Sequence, residues 1–195
     1  RKVSLMKVGV LALQGAFREQ REVFAALGCE AFEVRSARDL AATDALVLPG
    51  GESTAIAHLL RTGDLLDPLK ERIEAGVPVL ATCAGLIISA REVVGGLKGQ
   101  VGLDILDVTV KRNAYGNQQQ SFEAPIDISI SPDPFPGVFI RAPVIERVGD
   151  DIEVLGAHDG SPVLVRAGKV WASTFHPELS GDLRIHQAFI QSASE

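Results

Sequence analysis

The chain has 195 residues, 46% apolar and 23% charged, proportions that suit one folded domain with a real core and exclude disorder as the default state. Its 19 Lys and Arg against 25 Asp and Glu leave a formal charge of −6, which argues against a generic nucleic-acid coat, and a 5% aromatic content offers little for base stacking. Two cysteines, Cys29 and Cys83, cannot form a disulfide framework, and no C-x-x-C pair is present, so a reduced, cytosolic setting without a thiol metal site is expected.

Arg1 to Leu5 lacks the apolar segment of a secretory signal. Met6, the sole methionine, directly precedes a strand-like run and is the expected start, with residues 1–5 an extension. Val8 to Leu13 is a short apolar run of the kind buried on both faces of a sheet. Gln14-Gly15 then turns the chain into a helix expected over Ala16 to Leu27, stopped by Gly28. Ala31 to Val34 and Ala45 to Leu48 read as further strands. After Pro49-Gly50-Gly51, residues Ser53 to Arg61 and Leu66 to Glu74 read as helices. Val77 to Thr82 is a fourth strand, and the spacing predicts a helix from Ala84 to Val94. The most apolar stretch, Val77 to Ala90, is interrupted by Pro78, Thr82 and Gly85 and falls short of the roughly 20 residues of a membrane helix. This strand–helix alternation points to parallel β-α-β units in a doubly wound sheet.

The second half changes character. Ile105 to Lys111, Ala124 to Ile130, Val138 to Ile140, Ile152 to Leu155, Pro162 to Val165 and Lys169 to Phe175 read as short strands. Turn signals such as Asp133-Pro134, Pro136-Gly137, Asp159-Gly160 and Ala167-Gly168 separate them, and Leu183 to Ser192 reads as a closing helix. No linker, repeat or low-complexity tract divides the chain. The expected architecture is a single α/β domain over 1–195, built on a mostly parallel sheet with an antiparallel addition in its second half.

Ligands of open parallel sheets bind at the carboxyl ends of strands. Three such ends carry unusual chemistry: Gln14-Gly15, Pro49-Gly50-Gly51-Glu52-Ser53-Thr54 and Thr82-Cys83-Ala84-Gly85. A cysteine between a buried strand and a helix sits on a sharp turn that exposes its sulfur, and the helix N-terminus favours the thiolate. Small neighbours (Ala81, Ala84, Gly85) permit that turn, as in the nucleophile elbow of hydrolases, although Ala81 stands where the strict pattern has glycine. Packing is the competing explanation for any lone cysteine, and it is the expected one for Cys29, which follows a helix-ending glycine.

Of four histidines, His58 and His186 fall in helical patterns, with solvated or partly packed roles expected, and His158 falls in a turn. His176 ends a strand and is followed by Pro177 and Glu178, a carboxylate placed to orient the ring and fix its tautomer. With an elbow cysteine in the same chain, these residues form a candidate Cys-His-Glu triad for amide cleavage. The Ala84 N–H and a backbone donor from Gly50-Gly51 are candidates for the oxyanion, while the bland reading of Pro-Gly-Gly is a strand-to-helix turn with Ser53 as cap. There is no Walker loop and no G-x-G-x-x-G, so these glycines do not read as nucleotide-binding.

Seven segments together resemble the PdxT/SNO family of class I (triad) glutamine amidotransferases. They are Gly9 to Gly15, Leu48 to Thr54, Ala81 to Ile87, Lys111 to Gly116, Ser121 to Glu123, Val138 to Pro143 and Ser173 to Leu179, in the family's order from Met6 nearly to the end of the chain. The resemblance implies a flavodoxin-like three-layer sandwich, with Cys83 as nucleophile, His176 as acid/base and Glu178 as its orienter. It assigns glutamine contacts to Gly51, Glu52, Ser53, Arg112, Ile140 and Arg141, and places Gln14 near the oxyanion site. It also implies a glutaminase subunit of pyridoxal 5′-phosphate synthase, using no cofactor or metal and passing ammonia to a PdxS-type synthase. Neither nucleic acid nor membrane enters that picture. Members are quiescent until the partner arranges the oxyanion loop, which makes Pro49 to Gly51 the expected switch. One departure stands out: the family continues Tyr/Phe-Gly with Arg-Gln, whereas Tyr115-Gly116 is followed by Asn117-Gln118. The rival readings are the glutaminase of another amidotransferase, such as imidazole glycerol phosphate synthase, and a non-catalytic cysteine-based sensor.

Overall fold

The computed structural model describes residues 5–96, 102–112 and 121–195. Residues 113–118, including the Asn117 departure, lie outside them. The first half follows the alternation read from the sequence. Strands β1 (Lys7–Leu11), β2 (Glu30–Val34), β3 (Ala45–Leu48) and β4 (Val79–Thr82) alternate with helices α1 (Phe17–Ala26), α2 (Ala37–Ala41), α3 (Ser53–Thr62) and α4 (Leu66–Glu74). Helix α5 (Ala84–Ser89) leaves the end of β4. The α2 turn is not anticipated by apolar periodicity. Its signal is a capping box, in which Ser36 accepts from the Asp39 N–H while the Asp39 carboxylate accepts from the Ser36 N–H.

The helix expected from Ala84 to Val94 is cut in half. It stops at Ser89, and Ala90–Val94 is strand β5, paired in parallel with β6 (Leu106–Lys111). Of Arg91, Glu92, Val93 and Val94 only Val93 is half-buried, and the paired β-branched valines are compatible with a pleated strand. An antiparallel partner for β6, β9 (Val144–Val148), completes a three-stranded sheet that the sequence reading did not foresee. The remaining strands are β7 (Ser121–Ile128), β8 (Phe135–Ile140), β10 (Glu153–His158), β11 (Ser161–Ala167) and β12 (Val170–Ser173), before the closing helix α6 (Arg184–Ala193). His158, expected in a turn, ends β10 instead.

The main sheet has nine strands in the order β2-β1-β3-β4-β12-β11-β10-β7-β8. The five from β2 to β12 are parallel, and the rest extend the sheet by antiparallel pairing. Alternate side chains of the strands enter two cores. Leu46, Leu48, Val79 and Ala81 face the helices α2 to α5 and the small sheet. Val8, Val10, Ala45, Val47 and Leu80 face α1, α6 and the β7–β8 hairpin, with Phe24, Trp171 and Phe189 as large fillers. The result is a three-layer α/β sandwich. Its chain leaves β1 for β2 on one side and returns to β3 on the other. A crevice therefore opens between the carboxyl ends of β1 and β3, where ligands of such sheets bind.

Candidate active site

At that crevice the structure opens a cavity of about 460 Å³. Gln14, Gly51, Glu52, Ser53, Cys83, Arg112, Ile140, Arg141 and His176 all line it, so residues spread over most of the chain converge. Sequence reasoning missed three further lining residues, Ala16, Ile87 and Leu179. Ile87 lies one helical turn beyond Cys83, and its N–H donates to the Cys83 carbonyl at 3.1 Å. Ala84 is buried behind the surface and does not line the cavity, which leaves its backbone N–H as the group it offers.

Cys83 joins β4 to α5 with φ 51° and ψ −104°, a backbone that L-residues adopt only when their surroundings impose it. Two contacts do so. The Cys83 N–H donates to the Ser173 carbonyl at 2.9 Å, extending the β4–β12 ladder by one bond. The first turn of α5 also presses on the end of β3 so closely that a Cβ on Gly85 would lie 2.0 Å from the Leu48 carbonyl oxygen. The thiol is nearly buried, and its Sγ lies 4.0 Å from the Ile140 carbonyl oxygen. Cys29 differs on each count. It is half-buried beside the core of α1 and α6, and burial pushes its thiol up, away from the reactive form.

His176 follows β12, and its N–H donates to the Val138 carbonyl at 2.8 Å, which ties it to β8. Pro177 to Leu179 then form a short 3₁₀ turn that folds Glu178 back toward the ring. The imidazole Nδ1 lies 2.6 Å from Glu178 Oε1, with both residues buried. The Cε1 edge of the ring packs on Gly50, where a Cβ would fall 2.4 Å from that atom. Burial alone would lower the pKa of His176. Hydrogen bonds to Cys83 and Glu178, together with the negative charge of both, outweigh it and raise the value to about 10. The ring therefore holds its second proton at neutral pH.

The loops after β1 and β3 are clasped together. The Ala16 N–H donates to the Gly50 carbonyl at 2.9 Å, and the Glu52 N–H donates to Gln14 Oε1 at 2.7 Å. Gln14 thus sets the position of the glycine loop. The cap of α3 is Glu52 and not Ser53, which becomes the first residue of the helix. The Glu52 carboxylate accepts from the Thr54 and Ala55 N–H groups at 3.1 and 2.7 Å and pairs with Arg112 at 3.3 Å. Burial works against its charge, but these donors hold it below the usual carboxylate range. Arg112 also donates to Thr54 Oγ1 at 3.2 Å. Arg141, at the end of β8, is exposed, carries a left-handed φ of 43°, and has no ion-pair partner among the described residues. Nothing among the described residues groups three metal-ligating side chains.

Known proteins share this arrangement of strands and loops. A crystal structure of a glutamine amidotransferase matches with a TM-score of 0.90 at 47% identity, covering 96% of this chain and 99% of that one. The class is therefore an enzyme that draws nitrogen from the glutamine side chain, a glutamine amidotransferase. The structure of PurLQS from Thermotoga maritima shares the fold at a TM-score of 0.66 and 15% identity, over 98% of this chain and 98% of that one. Residues 10–195 match the SNO glutamine amidotransferase family, and the chain belongs to it. Among its relatives, the pyridoxal 5′-phosphate synthase subunit PdxT of Deinococcus radiodurans is 51% identical over 193 residues, 97% of this chain and 98% of that protein. The PdxT of Mycobacteroides abscessus is 50% identical over 183 residues, 94% and 95% of the two chains.

Proposed function

We propose that this chain is the glutaminase subunit of a pyridoxal 5′-phosphate synthase, hydrolysing L-glutamine to L-glutamate and ammonia with Cys83, His176 and Glu178. The observation that carries this reading is one cavity lined both by a thiol on a strained elbow and by an imidazole whose Nδ1 meets the buried Glu178 carboxylate behind it. In the proposed reaction the Cys83 sulfur attacks the side-chain carbonyl carbon of glutamine. The developing oxyanion rests on the Ala84 N–H and a donor of the Gly50–Gly51 loop. The C–N bond breaks as the His176 proton passes to the nitrogen, which leaves as ammonia. Water then gives a proton to His176 and attacks the thioester, releasing glutamate and returning Cys83 and the protonated His176 ring to their starting state. Glu178 keeps the ring oriented and stabilises its charge throughout.

Recognition of a free amino acid requires a cation for the α-carboxylate and acceptors for the ammonium group. Arg141, exposed, lining the same cavity as Cys83 and without an ion-pair partner among the described residues, is suited to the first role. Glu52 and the Ile140 carbonyl are suited to the second. Arg112, tied to Glu52 and Thr54, fixes that carboxylate and adds positive potential at the cavity. Ammonia set free in water would be protonated, so the product is best used by a partner docked over the mouth. Leu179, 42% exposed at the cavity rim, offers apolar surface for such docking.

The relatives named as synthase subunits point to a PdxS-type partner. Glutamate release should rise and saturate as such a synthase is titrated into the chain, and should not respond to an imidazole glycerol phosphate synthase. The reverse pattern would assign the chain to another amidotransferase.

A further inference from the structure

Directly behind the Cys83 elbow, three buried polar side chains are joined end to end. Gln20 on α1, Thr82 at the end of β4 and His186 on α6 are each fully buried. The Gln20 Nε2 donates to Thr82 Oγ1 at 3.3 Å, and its Oε1 meets His186 Nε2 at 2.8 Å. His186, expected to be solvated or partly packed, has no partner at Nδ1 among the described residues and packs edge-on against Phe24. Burial lowers its pKa to about 4, so the ring is neutral, and the tautomer with its proton on Nε2 is the one that completes the contact with the Gln20 oxygen. With its oxygen turned to His186, the Gln20 amide presents its N–H end to Thr82.

Apolar side chains of similar volume would fill this space without the cost of desolvating three polar groups. The chain of contacts ends at one place, the residue before Cys83. Thr82 is β-branched, so anchoring its hydroxyl selects its rotamer and steadies the peptide that enters the strained turn. The Cys83 N–H bond to Ser173 holds the other edge of the same peptide. We propose that Gln20, oriented by His186, is a positioning residue that acts through Thr82 to hold the elbow in the conformation that presents the Cys83 sulfur to His176. The inference rests on the reading of Cys83 as the nucleophile.

The test is the rate at which iodoacetamide alkylates Cys83 in a Cys29→Ser background, where it is the only thiol, followed across pH and well below the melting temperature. Thr82→Val removes the acceptor at constant shape, and Gln20→Met removes the donor. Each should slow alkylation about tenfold and lower kcat of partner-activated glutamine hydrolysis by a similar factor, leaving KM within about twofold. Thr82→Ser, which keeps the hydroxyl, should restore both rates. The Gln20→Met/Thr82→Val double variant should be no slower than either single, because both act through one contact. Gln20→Met, on a separate helix, is read in the same way should Thr82→Val fail to fold. Alkylation at the wild-type rate in both variants, multiplying effects in the double variant, or no rescue by serine would each overturn the inference. Alkylation is read on the isolated chain, so a wild type that released no glutamate with any synthase would remove the glutaminase reading while leaving this result standing.

Discussion

Replacing Cys83 with alanine is expected to lower glutamine hydrolysis by about a thousandfold or more, with the melting temperature little changed and glutamine still bound. The size of the effect follows from covalent chemistry. Without the sulfur no thioester forms, and water must attack the amide directly with only the oxyanion donors and the bound geometry to help. The small effect on stability follows from the same site. Alanine fills the nearly buried position without an orphaned polar group, and the strained φ of 51° stays imposed by the Ser173 bond and the packing of Gly85 on Leu48. Parallel steady-state assays with the partner present and a thermal melt of each protein check both halves. Turnover within tenfold of wild type would remove Cys83 from the chemistry.

Glu178→Gln should have the second largest effect, a fall in turnover of about a hundredfold or more with a fold close to wild type. Glutamine keeps the shape and a hydrogen-bonding group near Nδ1 but loses the charge. In the wild type, burial lowers the pKa of His176 while Cys83 and Glu178 together raise it to about 10. Removing the Glu178 charge lets burial count for more, so the ring should titrate at lower pH, as followed by NMR of the imidazole C–H signals. The sign of the effect on stability can be given as well. A folded pKa above the unfolded value of 6.5 means that the protonated ring contributes stability fully below pH 6.5. That contribution fades as pH rises toward 10. Urea midpoints should therefore drop more steeply over this window in wild type than in Glu178→Gln. Equal slopes, or an unmoved ring titration, would contradict the assigned role of Glu178.

Much of the fold was legible because the parallel half obeys simple periodicities. Ala45–Leu48 and Leu66–Glu74 are bounded as read, since a fully apolar run and a helical stripe that ends before the left-handed Gly76 leave few alternatives. The break at Ser89 was not legible. Leu86-Ile87-Ile88 continues smoothly into Val93-Val94 as a helical pattern, and only the distant β6 makes Ala90–Val94 a strand. Tertiary pairing decided that segment. Strand β9 was hidden for a similar reason, because its neighbour in space is β6 and not the strands beside it in sequence.

The candidate site was legible through residue types at strand ends. Its contact geometry was not. Nothing in Gly51-Glu52-Ser53 shows that Glu52, and not Ser53, caps α3 and pairs with an arginine sixty positions away. Gln20 escaped notice, and His186 reads as solvated or partly packed, because each lies within an amphipathic helix, where a lone polar residue reads as solvent-facing. Only the packing of α1 and α6 on one face of the sheet turns them toward each other.

The central claim is that Cys83 carries the glutamyl group during turnover. It is tested most directly by mixing the chain with glutamine and a PdxS-type synthase, quenching in acid on the millisecond scale, and reading intact mass and peptide maps. The expected result is a single added glutamyl group on the peptide containing Cys83, appearing before glutamate accumulates and absent from Cys83→Ala. Glutamate release with no adduct on Cys83, or with the adduct on another residue, would contradict it.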